Sequence, residues 1–198
     1  DCDSTLSSIE GIDELARLSD PTIFEEVVNL TNAAMNGEVP LNQVFKKRME
    51  IIRPSLDMVR IVSQSYLDHI VEGAEQLIQH AKDHDWTLVI LSGGFEPIIR
   101  PFADHLGIQH VEAVPLYFDA SGKYAGYGED YPTTRNLGKN EIIQEWKRAM
   151  LPEKIMMIGD GTSDLETKPD VDHMIGFGGV VSRDKVKQGA DTWITQLN

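Results

Sequence analysis

The sequence predicts an α/β fold: a doubly wound, Rossmann-like parallel-sheet core with an inserted helical cap. Three observations carry that expectation. Apolar runs such as Thr87-Leu88-Val89-Ile90 and Ile155-Met156-Met157-Ile158 read as buried strands. From Trp86 onward, strand-like stretches alternate with helix-like ones, the pattern of parallel strands joined by crossover helices. From about Ile12 to His84, apolar residues instead recur at three- and four-residue spacing, which indicates a small helical bundle.

Taken in order, helical periodicity covers Glu14 to Arg17, Ile23 to Met35, Leu41 to Ile52 and Leu56 to Ile70. Pro21, Pro40 and Pro54 sit near three of the starts, and Ser19-Asp20 and Asn36-Gly37 punctuate the run. Strands are then expected at Trp86 to Leu91, Val111 to Pro115 and Lys154 to Ile158, and helices at Glu96 to Leu106 and Glu141 to Met150. Leu116 to Tyr127, around Asp119-Ala120-Ser121-Gly122, reads as a β-hairpin. The division expected is a catalytic core of residues 1–11 and 73–198 and a helical cap of residues 12–72.

A chain of 198 residues can bury roughly 70% of its unfolded surface, enough for a full core without staples. One cysteine excludes an internal disulfide framework, and no apolar span of about 20 residues or cleavable signal pattern is present. The sequence therefore reads as soluble and cytoplasmic, with no membrane partner. Its 32 acidic against 18 basic residues give a net charge of −14, which repels nucleic acid. It also repels an anionic substrate, so a phosphate-using enzyme of this composition needs a metal and a few well-placed cations. A homodimer is compatible with the sequence.

Four polar clusters lie where such a site would form: Asp1-Cys2-Asp3-Ser4-Thr5, Leu91-Ser92-Gly93-Gly94-Phe95, Gly138-Lys139-Asn140 and Gly159-Asp160-Gly161-Thr162-Ser163-Asp164. Two directly follow strand-like runs, and in open α/β sheets ligands bind at the carboxyl ends of strands. A phosphomonoester dianion resists attack, but a carboxylate can divide its hydrolysis into two steps through an acyl phosphate. Asp1 is the candidate nucleophile and Asp3 the candidate general acid and base. The bland alternative for this cluster is an Asx-turn or helix cap.

A carboxylate meets a phosphate dianion only with a cation between them, a task that suits Mg²⁺ and its oxygen ligands. Asp160 is the natural further ligand, and Asp164, four residues on, could add a second contact. A calcium loop fails on spacing, because its glycine would be second rather than sixth and its twelfth residue is Val171. A plain surface turn is the stronger alternative. Ser92-Gly93-Gly94 offers a hydroxyl and backbone N–H groups to phosphate, with Pro97 opening a helix behind it. Lys139 could neutralise phosphate charge. Cys2 reads as a small buried hydrophobe whose oxidation would block the site.

In order and context these clusters resemble the haloacid dehalogenase superfamily of phosphatases over essentially all 198 residues. The likeness extends through Glu10 to Leu15, Met35 to Pro40, Tyr124-Ala125-Gly126 and Ile175 to Gly179. The resemblance implies Mg²⁺ dependence, an aspartyl-phosphate intermediate and hydrolysis of L-phosphoserine to L-serine and phosphate, the last step of serine biosynthesis. It makes Asp1 the nucleophile and Asp3 the acid and base, with metal held by Asp1, the backbone carbonyl of Asp3 and Asp160, supported by Asp164. Ser92, Gly93 and Lys139 would bind phosphate, and Ser163 falls where the family often has Asn or Thr. Glu10 would face the substrate ammonium and Arg48 its carboxylate, with Met35 and Gly37 lining the pocket. A zwitterion needs one anion and one cation, and Arg is the better fork for a carboxylate.

Leu41 stands where some relatives carry Phe, which would loosen the pocket or alter its packing. The family also places an apolar strand before the nucleophile, whereas this sequence begins at that residue. Lack of the strand would leave a gap in the middle of the sheet and an α-ammonium on Asp1, so upstream residues are expected. Other readings are hydrolysis or transfer of another small phosphomonoester such as phosphohomoserine, a receiver domain phosphorylated on Asp, and a non-catalytic metal binder. The cap is expected to close over Asp1, hinged at Ile9 to Asp13 and around His69 to Glu75.

Overall fold

A computed structural model describes residues 1–36 and 38–197. Four helices come first: α1 (Gly11–Arg17), α2 (Pro21–Met35), α3 (Leu41–Ile52) and α4 (Leu56–Asp68). Each start has a local cause. Asp20 caps α2, accepting from Thr22 N at 2.8 Å, with Pro21 as its first residue. Ser55 caps α4 through Met58 N. Helix α3 follows Pro40, which offers no side-chain cap, and its Leu41 N–H donates instead to Asn136 Oδ1 at 3.0 Å, across 95 residues of sequence.

The second part runs α5 (Ala74–Asp83), β1 (Val89–Phe95), α6 (Glu96–His105), β2 (His110–Val114), β3 (Leu116–Phe118), β4 (Tyr124–Tyr127), α7 (Gly138–Met150), β5 (Met156–Gly159), α8 (Thr162–Leu165), β6 (His173–Phe177), α9 (Asp184–Gly189) and β7 (Thr192–Ile194). Strands β1 and β2 pair in parallel from Val89↔His110, and β5, β6 and β7 form a second parallel sheet through Met156↔His173 and Ile175↔Thr192. Strands β3 and β4 form the expected antiparallel hairpin. The fold class is the predicted α/β one, with the parallel strands in two sheets that no ladder joins among the described residues. Asp1 N donates to the Ile158 carbonyl at 2.8 Å, which sets the first polar cluster beside β5.

One boundary differs in a way that matters. The strand expected to end at Leu91 continues as β1 through Ser92-Gly93-Gly94 to Phe95, its register with β2 shifting between Leu91 and Phe95. The two glycines carry no side chain to register as strand, yet the backbone stays extended.

The main apolar cluster takes residues from both halves, among them Phe45 and Tyr66 from the first and Phe95, Ile98 and Phe102 from the second. Phe45 meets Phe95 edge-on at 5.6 Å and Tyr66 meets Phe102 likewise at 5.6 Å. Cys2 is fully buried in this cluster, and burial pushes its thiol pKa well up, away from the reactive thiolate. No helix among the described residues is long and apolar enough to cross a membrane.

Candidate active site

The four clusters converge on one cavity, whose walls include Asp1, Asp3, Glu10, Arg48, Ser92, Gly93, Lys139, Asp160 and Ser163. Leu41 lines it too, together with Ile12, Gly94 and Phe95. Asp164 lies just behind the wall, fully buried. Gly37 and the Met35 side chain, both expected in the pocket, lie outside the described residues.

Asp1, Asp160 and Asp164 bring carboxylate oxygens within 4.8 Å of one another. Mg²⁺ takes oxygen ligands about 2.1 Å away, so two ligands on one ion stand up to about 4.2 Å apart. An all-oxygen set of this spacing fits a hard divalent cation after small side-chain shifts. The Asp3 carboxylate stands outside the group. Lys139 Nζ reaches Asp1 Oδ1 at 3.0 Å and Asp164 Oδ1 at 2.6 Å, and Gly161 N donates to Asp164 Oδ2 at 2.9 Å. Asp164 therefore has a partner on each oxygen and fixes Lys139 beside Asp1.

Asp160 accepts from Thr5 Oγ1 at 3.3 Å and pairs with Arg183 Nε at 3.2 Å. Burial, followed by the Asp164 charge, raises its pKa to about 6 even so. Arg183 also reaches Asn36 Oδ1 at 3.4 Å, tying the end of α2 to the metal-ligand candidate. Sequence reasoning missed Arg183, since a single arginine 23 residues beyond Asp160 carries no local motif.

Asp3 is held on both oxygens. Tyr66 OH donates to Oδ1 at 2.7 Å and Gly11 N to Oδ2 at 3.1 Å. Burial raises its pKa, while these two bonds oppose the rise. A carboxyl poised in that way can keep a proton for a leaving group and later take one from water. Tyr66 was also missed, although it continues the buried stripe Val59, Val62, Ser63 on α4 and is the one member with a phenol to place. Gly11 makes the contact feasible, because a Cβ there would collide with the Tyr66 hydroxyl.

Ser92 and Gly93 lie at the carboxyl end of β1, and Gly94 N donates to Ser92 Oγ at 2.9 Å. Gly94 faces Asp3 so closely that a Cβ would lie 3.3 Å from Oδ2 and 2.9 Å from Ile99 Cδ1, so a side chain there would crowd the general-acid candidate. Glu10 accepts from Ser4 Oγ at 2.6 Å, and burial with the charges of Asp3 and Asp160 raises its pKa to about 8. Arg48, 3% exposed, is lowered to about 10 by burial. The cavity thus sets an acid hungry for positive charge and a buried guanidinium around a carboxylate-rich floor.

The bovine (Bos taurus) phosphoserine phosphatase is 36% identical over 199 residues, covering 100% of this chain and 88% of that protein. A solved substrate-bound phosphoserine phosphatase complex superposes with a TM-score of 0.87 at 26% identity, covering 99% of this chain and 90% of that one. A phospho-aspartyl intermediate analogue of phosphoserine phosphatase gives 0.86 at 26% identity, covering 98% and 90%. The family model for haloacid dehalogenase-like hydrolases matches residues 1–167, and with these relatives it shows that the chain belongs to that family.

Proposed function

We propose that this hydrolase cleaves L-phosphoserine to L-serine and phosphate in the cytoplasm, as the last step of serine biosynthesis, using Mg²⁺. The observation that carries the reading is the pairing, around one cavity, of Asp1, Asp3, Lys139 and Asp160, backed by Asp164, with Glu10 and Arg48. The first group suits any phosphomonoester. The last two suit a zwitterionic amino acid, and they favour phosphoserine over an uncharged alcohol phosphate.

In this mechanism an Asp1 oxygen attacks phosphorus in line with the serine oxygen, whose bond to phosphorus breaks as the acyl phosphate forms. Asp3 passes its proton to the departing oxygen, giving the serine hydroxyl. A water then attacks the same phosphorus from that side and surrenders its proton to Asp3, releasing phosphate and restoring both carboxyls. Ser92, the backbone N–H of Gly93 and Lys139 hold the phosphoryl oxygens, with Ser163 at the cavity wall beside them. Asp1, Asp160 and the backbone carbonyl of Asp3, supported by Asp164, would hold Mg²⁺, which supplies positive charge between nucleophile and phosphate. Glu10 takes the substrate ammonium and Arg48 its carboxylate. The helices of residues 12–72 act as the lid over this site.

The test is release of inorganic phosphate from L-phosphoserine with Mg²⁺ and with a chelator, set beside O-phosphoethanolamine and phosphohomoserine. Metal-dependent release with the highest kcat/KM for L-phosphoserine is expected. Equal or better turnover of the others would move the function to another small phosphomonoester.

A further inference from the structure

Three cations are buried among the described residues: Lys139, Arg183 and Arg48. Lys139 pairs with Asp1 and Asp164, and Arg183 with Asp160. Arg48 has no carboxylate partner among the described residues. Its Nη1 donates to Thr31 Oγ1 at 3.0 Å, its Cζ lies 5.6 Å from the centre of the Phe45 ring, and its Nε has no hydrogen-bond partner among the described residues. A buried donor left this way is costly unless a ligand completes it.

The Thr31 hydroxyl has one proton and two acceptors in reach, Asp13 Oδ1 at 2.8 Å and the Val27 carbonyl at 3.0 Å. The shorter contact to the carboxylate is the stronger acceptor, so the proton goes to Asp13 and the oxygen lone pairs are left for Arg48. Asp13 therefore acts on Arg48 through a neutral hydroxyl rather than by direct pairing. A direct Asp–Arg pair would compete with any anion entering the cavity, whereas the interposed hydroxyl orients the guanidinium and leaves its charge available.

We infer that Thr31 and Asp13 form a positioning relay that fixes the Arg48 fork for the α-carboxylate of the substrate and thereby sets the preference for amino-acid phosphates. The inference rests on the phosphoserine reading above. Neither residue touches the reacting atoms.

The experiment measures kcat and KM for L-phosphoserine and O-phosphoethanolamine, which lacks the carboxylate, with wild type, Thr31→Val and Thr31→Ser. Thr31→Val should raise KM for L-phosphoserine about tenfold with kcat little changed, the size expected for weakening one charge-assisted hydrogen bond. The kcat/KM preference over O-phosphoethanolamine should fall by the same factor, and Thr31→Ser should restore it. Asp13→Asn, nearly isosteric, should lower the preference in the same direction and serves if Thr31→Val does not fold. An equal loss on both substrates, or an unchanged preference, would overturn the relay while leaving the phosphoserine reading intact. A wild type with no preference for L-phosphoserine would overturn that reading and the relay together.

Discussion

Asp3 is held by Tyr66 and Gly11, two groups drawn from outside its own cluster, and these bonds bear on the proton that the proposed mechanism gives it. The Tyr66 bond lowers the Asp3 pKa against the rise caused by burial. Tyr66→Phe should therefore let that pKa climb, moving the acid limb of the kcat–pH profile to higher pH, because the second step needs Asp3 ionised. Gly11→Ala should move it the same way by pushing the phenol aside. A limb that stays in place in Tyr66→Phe would show that the phenol does not tune Asp3. The meeting of Asp1, Asp3, Lys139, Asp160 and Asp164 was legible in the sequence because each stands in a glycine-rich or strand-end cluster. Tyr66 and Arg183 were not, because their partners are 63 and 23 residues away and neither stands in a motif of its own.

At the scale of elements, the helix periodicity was legible because each of α1 to α4 buries one stripe against the same cluster. The end of β1 was not, since an extended Ser-Gly-Gly gives no alternation to read. The chain just before the first expected hinge runs beside the second: Ser8 N donates to the His69 carbonyl at 2.8 Å and Val71 N to the Leu6 carbonyl at 2.9 Å. Closure of the lid proposed for residues 12–72 would flex this paired crossing, and the Leu41–Asn136 and Asn36–Arg183 contacts join those helices to the second half of the chain. Limited proteolysis at residues 9–13 and 69–75 should slow when a phosphate mimic with Mg²⁺ is bound. Equal cleavage with and without the mimic would count against these crossings as hinges.

Across the whole molecule, a net charge of −14 is answered inside the cavity by only a few buried cations, so its acids bear mutual repulsion. Glu10 binds its proton more tightly in the folded chain, at about 8 against a usual 4.5, and Asp160 at about 6 against 3.8. A raised carboxyl pKa gives stability that is present below the unfolded value and is lost as pH rises through the folded one. The ligand-free protein should thus lose stability from about pH 4 to pH 8, with Glu10 responsible for the upper end. Glu10→Gln should raise the melting temperature at pH 8 more than at pH 5, and a flat difference between the two would refute that assignment. Composition made the excess of acid legible; which acids suffer from it depends on burial that only the folded chain creates.

The proposed mechanism depends above all on phosphoryl transfer through Asp1. Acid-quenching the enzyme during turnover of ³²P-labelled L-phosphoserine, followed by peptide mass analysis, tests it most directly. Label and one added phosphoryl group are expected on the peptide carrying Asp1, absent in Asp1→Asn, which should also release no phosphate. Full turnover by Asp1→Asn, or label found on a different residue, would contradict it.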